Sequence, residues 1–122
     1  MAMDDEIPFS VRRELDGDVC VVVPQGEVDL STTDDVRAEL VAAAGEAATV
    51  VLDLRGVGFV DSSGVRLLVE VQRLADERGI GFRVVRGPEH VQRLFDLAGL
   101  TSRITLIDDP GEAGGRDGAG AG

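Results

Sequence analysis

Residues 59–68 read FVDSSGVRLL. A strand-like apolar run gives way at Asp61, two serines follow, and beyond Gly64 the apolar residues recur at helical spacing, so the stretch is a strand-to-helix junction. In the helix it opens, Val65, Leu68, Val71, Leu74 and Ala75 fill one side. Arg66, Glu70, Arg73 and Glu77 make a charged stripe on the other, at spacings of four, three and four. One face of this helix packs and the other meets water.

The same alternation extends in both directions. Upstream, TVVLDL (49–54) is short, β-branched and almost unbroken in apolar character, which predicts a strand covered on both faces in mid-sheet. Downstream, FRVVR (82–86) predicts a strand and PEHVQRLFDLAGL (88–100) a helix that starts at Pro88. That helix ends in a left-handed stop at Gly99 with an apolar contact from Leu100, and ITLI (104–107) is the last strand. At the front, FSVRREL (9–15) alternates and VCVVV (19–23) is continuous. The turn signal Asp16-Gly17-Asp18 between them predicts a hairpin. Pro24 and Gly26 either end the second strand or bulge it. A helical period through Val36, Leu40, Ala43, Ala44 and Ala47 follows, with Ser31 or Thr32 as its cap and Asp34 or Asp35 completing an acidic capping box. Strands alternating with helices after a hairpin imply an α/β sandwich on a mixed sheet, because parallel neighbours need helical crossovers.

Composition sets the outer bounds. A chain of 122 residues suits one domain, read here as residues 8–109, between a flexible acidic N-terminus (1–7) and a disordered Gly/Ala-rich tail (110–122). Hydrophobic residues make up 43% but aromatics only 3%, so Val, Leu, Ile and Ala build the core with Phe as filler. The net charge is −11 and every basic residue is arginine, which argues against nucleic acid and anionic membranes as partners. The single cysteine, Cys20, has no partner for an internal disulfide and reads as a small buried apolar residue. The chain shows no leader-like opening, and its apolar runs fall short of a bilayer span, so cytoplasmic residence is expected.

The two serines pose the functional question. Asp61 or Ser62 suits a helix cap, and capping needs one of them. Ser63 would then sit in the first helical turn with its hydroxyl free, and Gly64 removes the side chain beside it. VDSSG resembles a nucleophile elbow, but Val60 fits the strained turn poorly. The sole histidine, His90, lies on a later helix where it reads as a solvated surface residue, so a base is wanting. Asp53 near the end of a central strand invites comparison with phosphate-accepting receiver domains. The chain has no lysine, however, and Asp34 and Asp35 lie at a helix start, so Asp53 reads as a strand-edge or turn residue. The third chemistry is passive: another protein phosphorylates Ser63, and the new charge, favoured by the helix N-terminus, disfavours burial against a partner.

The order strand, strand, GEVD, helix, apolar strand, GVGFVDSSGVRLL, helix, FRVV, VQRLFDLAGL resembles the STAS domain family, and within it the free-standing bacterial anti-anti-sigma factors. The resemblance implies a STAS-like α/β sandwich, a mixed β-sheet with helices packed mainly on one face. It implies an anti-sigma factor antagonist whose unphosphorylated form binds an anti-sigma factor, itself an ATP-dependent serine kinase, and so frees the sigma factor. By the same resemblance Ser63 is the phosphorylation site, Asp61 and Ser62 shape its turn, Gly64 lies beside it, and Asp29 of GEVD presents the hydroxyl or engages the kinase. Asp29 also has a plainer reading as a loop acid before a helix. A serine phosphatase would reverse the modification. The chain itself is expected to be a monomer with no catalytic residue, metal or cofactor. Members of the family usually finish with another helix on the sheet, whereas DDPGEAGGRDGAG hardly supports one, which would leave part of that face thinly covered. A constitutive STAS scaffold, or a subunit of a larger sensory assembly, is the alternative without a switch.

Overall fold

The computed structural model describes residues 8–113. The chain opens with the hairpin: β1 (Ser10–Asp16) pairs antiparallel with β2 (Val19–Val28) across a two-residue turn in which Gly17 takes φ +62°. α1 (Thr33–Ala44), β3 (Thr49–Asp53), β4 (Val57–Val60), α2 (Ser62–Arg78), β5 (Gly81–Val85), α3 (Glu89–Leu97) and β6 (Thr105–Ile107) follow. The strand order is β1-β2-β3-β5-β6, with β1 antiparallel and the other pairings parallel. This is the expected mixed sheet.

β2 carries the architecture. Its first half pairs with β3 through Val19–Val22, and its last residues pair with β4. The strand therefore runs on through Pro24 and Gly26, and the irregularity those residues announce is a bulge: Gly26 faces Val57 and Glu27 faces Phe59, leaving Gly58 as an extra residue in β4. The sequence has a strand-like run end at Asp61 but does not mark β4 off from β3 as a strand of its own.

Among the described residues the three α-helices pack on one face. Cys20, Val22, Val50, Leu52, Phe82 and Val84 from the strands join Val36, Leu40, Leu67, Val71, Val91 and Phe95 from the helices in one core, and Phe82 and Phe95 are the large fillers at its centre. β1 is tied to this layer by Arg13, whose guanidinium donates to Glu39 of α1 and, at 3.0 Å, to Glu46 just beyond it. α1 and α2 are joined by Arg37 of α1, which donates twice to Glu70 of α2 at 3.0 and 3.1 Å.

The other face holds a small cluster of Val51, Val85 and Ile107, flanked by Val19, Val21 and Ala113. Among the described residues no helix lies over it. Pro110–Glu112 form a single 3-10 turn, begun by Asp109, whose carboxylate accepts from the Gly111 amide at 2.8 Å, and Ala113 packs against the cluster. The ordered domain thus continues past residue 109, because this turn gives the second apolar cluster part of its cover; the rest of the expected tail lies outside the described residues.

Helix ends follow the sequence at the C-terminal side. Gly79 and Gly99 take φ +69° and +75°, and the Ile80 and Leu100 amides reach back to Ala75 and Phe95 at 3.0 and 2.9 Å. The N-terminus of α1 differs. Thr32 occupies the cap position, but its hydroxyl does not bond the helix; it accepts from the Asp29 amide and donates to the Glu27 carbonyl, both at 2.9 Å. The backbone carbonyl of Asp29 takes the Thr32 and Thr33 amides instead, at 3.0 and 2.9 Å, which leaves the side chains free to brace the loop.

Candidate functional site

The site lies where β2 and β4 end side by side. Each ends in a residue that faces the core, Val28 and Val60, and each is followed by an aspartate at the surface, Asp29 and Asp61. The two ends are linked by the Asp61 amide, which donates to the Val28 carbonyl at 3.2 Å. Parallel pairing thus brings the GEVD and DSSG segments together from 32 residues apart.

Asp61 is the cap of α2. Its backbone is extended, and its Oδ1 accepts from the Ser63 amide at 2.8 Å and, less tightly, from the Gly64 amide at 3.4 Å. The same oxygen accepts from the Ser63 hydroxyl, and the Leu30 amide also turns toward this carboxylate. The Ser63 hydroxyl, followed by these backbone amides, holds the carboxyl of Asp61 below the usual carboxylate range. The sequence reading of a free hydroxyl is therefore corrected: Ser63 is half-buried and its hydroxyl donates to Asp61, because a cap that accepts the amide at N2 also lies within reach of that residue's own side chain.

Ser62 is exposed at the first helical position. Asp29 is half-buried and closes a small turn, its Oδ1 accepting from the Ser31 amide at 2.9 Å and the Ser31 hydroxyl at 2.7 Å. Gly64 is buried, and a Cβ there would stand 2.6 Å from Val60 Cγ1 and 3.2 Å from Val28 Cγ1. It lets the start of α2 lie directly on β2 and β4.

His90, at the start of α3, is exposed as expected but not merely solvated. Its Nε2 donates to the Gly58 carbonyl at 2.5 Å, and so ties α3 to the bulge in β4. The sequence carries no signal for this bond, because its acceptor is a backbone carbonyl 32 residues away. Asp53 is a buried residue at the end of β3. Burial opposes its charge, yet its pKa lies below the ordinary value because Arg55 donates through its guanidinium and its amide, with help from the charge of Arg12. Among the described residues no group of three or more His, Cys, Asp or Glu side chains is placed to hold a metal ion, and no helix is long and apolar enough to cross a membrane.

The Ser63 hydroxyl is thus half-exposed at a helix start and held by a carboxylate between two strand ends. The sequence model of the STAS domain matches residues 10–113. The chain belongs to the STAS domain family. The STAS domain described here is 30% identical over 93 residues to the anti-sigma F factor antagonist of Paenibacillus polymyxa, covering 75% of this chain and 80% of that one. It is 28% identical over 81 residues to the anti-sigma-B factor antagonist of Bacillus subtilis (strain 168), covering 66% and 74%. Among solved structures it is similar to an anti-sigma factor antagonist from Mycobacterium paratuberculosis, with a TM-score of 0.75, 26% identity, and coverage of 87% and 93%.

Proposed function

We propose that this STAS domain is an anti-sigma factor antagonist switched at Ser63. The unmodified chain, acting as a monomer in the cytoplasm, binds an anti-sigma factor that is an ATP-dependent serine kinase, and the sigma factor is thereby released. Transfer of a phosphoryl group to Ser63 ends the binding, and a serine phosphatase restores it. The chain is the substrate in this cycle, with ATP held by its partner.

The observation that carries this reading is the bond between the Ser63 hydroxyl and Asp61 at the open end of α2. Asp61 fixes the hydroxyl proton on one side, so an oxygen lone pair is left for an incoming phosphorus. In the transfer the Ser63 Oγ–P bond forms, the bond from phosphorus to the ADP oxygen breaks, and the hydroxyl proton leaves by way of the Asp61 carboxylate or water. The product carries about −1.5 to −2 charges. It loses the donor that bonded Asp61 and sets a dianion beside a carboxylate. The amides of Ser63 and Gly64, now given to Asp61, are the local groups for which the two anions compete. The helix keeps acceptors either way, so the fold persists while the surface changes. Asp29, Asp61 and Ser62 form the polar part of the partner contact in this reading.

The test is binding of the cognate anti-sigma factor to the wild type, to Ser63→Ala and to Ser63→Asp, together with mass spectrometry after incubation with that kinase and ATP. A single phosphate on Ser63, none on the alanine variant, and loss of binding in the aspartate variant are expected. Equal binding by all three forms would turn the assignment toward a scaffold.

A further inference from the structure

Large apolar side chains exposed singly are ordinary on a protein surface, whereas contiguous exposed apolar surface marks an interaction site. Leu30 is 77% exposed and Phe59 is 46% exposed. Both bracket Ser63. Leu30 stands two residues beyond Val28, whose carbonyl bonds the Asp61 amide, and Phe59 stands two residues before Asp61. Two residues of chain span at most about 7 Å. Phe59 faces outward because Gly58 is the extra residue of β4: the bulge leaves Val57 and Val60 in the core and turns the ring between them to the surface, beside the exposed Glu27. The position of that strand is held by the bond from His90 to Gly58. Leu30 sits in a loop braced by Asp29, Ser31 and Thr32, with its amide toward the Asp61 carboxylate.

A kinase that phosphorylates Ser63 has to bring a phosphorus atom to its hydroxyl. A specific interface covers about 800 Å² on each partner, a disc of about 16 Å radius. Phe59, four residues before Ser63 and so at most about 14 Å along the chain from it, falls inside such a disc centred on Ser63, and Leu30 flanks the strand end that bonds Asp61. We infer that Leu30 and Phe59 are the apolar anchors by which the anti-sigma factor kinase grips this chain, with Glu27, Asp29 and Asp61 as their polar border. The inference rests on the reading of Ser63 as the switch and adds to it what the switch acts upon. In the docked state Ser63 lies between two desolvated side chains, where a hydroxyl bonded to Asp61 is tolerated and a dianion is not.

The measurement is isothermal titration of the full chain with its cognate anti-sigma factor kinase, loaded with ADP so that no transfer occurs. Leu30→Ser, Phe59→Ser and Ser63→Asp are compared with the wild type and with Leu15→Ser. Leu15 is 56% exposed in β1, opposite Cys20 near the start of β2, at the far end of the sheet from Ser63. Leu30→Ser and Phe59→Ser are each expected to weaken binding by about tenfold or more, and Leu15→Ser by less than about twofold. Thermal melts of all variants are expected to coincide within a few degrees. Wild-type affinity in both Leu30→Ser and Phe59→Ser, with binding still lost in Ser63→Asp, would overturn the anchors and leave the switch standing. Wild-type affinity in Ser63→Asp would overturn the switch, and a selective loss in the two anchor variants would then still support the surface.

Discussion

The carboxylate of Asp61 and the hydroxyl of Ser63 are hydrogen-bonded across the first turn of α2, and the same Oδ1 accepts the Ser63 amide at 2.8 Å. One side chain therefore caps the helix and positions the residue expected to be modified. Asp61→Ala removes both functions, and loss of such a cap costs about 0.5–2 kcal/mol. Asp61→Asn keeps a carbonyl acceptor and should cost less. Urea denaturation of the two variants checks the order, and an alanine variant as stable as the wild type would contradict the capping role.

Gly64 gives the second prediction. A glycine in a helix costs about 1 kcal/mol against alanine, so replacing it normally stabilises. Here the new Cβ would lie 2.6 Å from Val60 and 3.2 Å from Val28. Gly64→Ala is expected to destabilise by about 1–3 kcal/mol, and Gly64→Val by more. A rise in melting temperature for the alanine variant would show that the strands can retreat.

Acid should act through Asp53 and Asp61. Both have folded-state pKa values below their ordinary value, Asp53 through Arg55 despite the opposing effect of burial and Asp61 through Ser63 and the helix amides. The unfolded chain then binds more protons than the folded one in this range, so stability rises with pH. Their contribution is complete above the unfolded carboxylate range near pH 4 and is lost as pH falls toward the lower folded values. Urea midpoints measured from pH 6 down to pH 3 should decline, and Asp53→Asn should flatten part of the slope. An unchanged wild-type midpoint across that window would refute the assignment.

Cys20 is wholly buried, and burial, followed by the charge of Glu46, raises the pKa of its thiol. Thiol reagents at neutral pH are expected to label it only after the chain unfolds. Rapid labelling of the native protein would mean that β2 opens locally.

Much of this fold is legible from residue types. Asp16-Gly17-Asp18 marks the hairpin, Gly99-Leu100 the end of α3, and the spacing of Leu68, Val71 and Ala75 the buried side of α2. β4 is legible only as a strand-like run before Asp61 and not as a separate strand, for a local reason. Its inward residues, Val57 and Val60, are three apart because Gly58 is an unpaired insertion, and period two is the only signal by which a four-residue strand declares itself. The site is half legible. Asp61 and Ser63 stand out as a cap and a hydroxyl in the right order, but the bond between them needs the cap geometry to be known. The bracing role of Thr32 is hidden because it depends on where the Asp29 carbonyl points, which α1 and β2 set jointly.

Gly58 has an effect that reaches beyond pairing. Were β4 to pair regularly through it instead of bulging, the strand would alternate strictly: with Val57 still inside, the ring of Phe59 would turn inward and Val60 would turn toward water, away from its seat against Gly64. Which side chains this edge of the sheet presents is thus decided by where one residue drops out of the pairing, and not by the residue types of the strand alone.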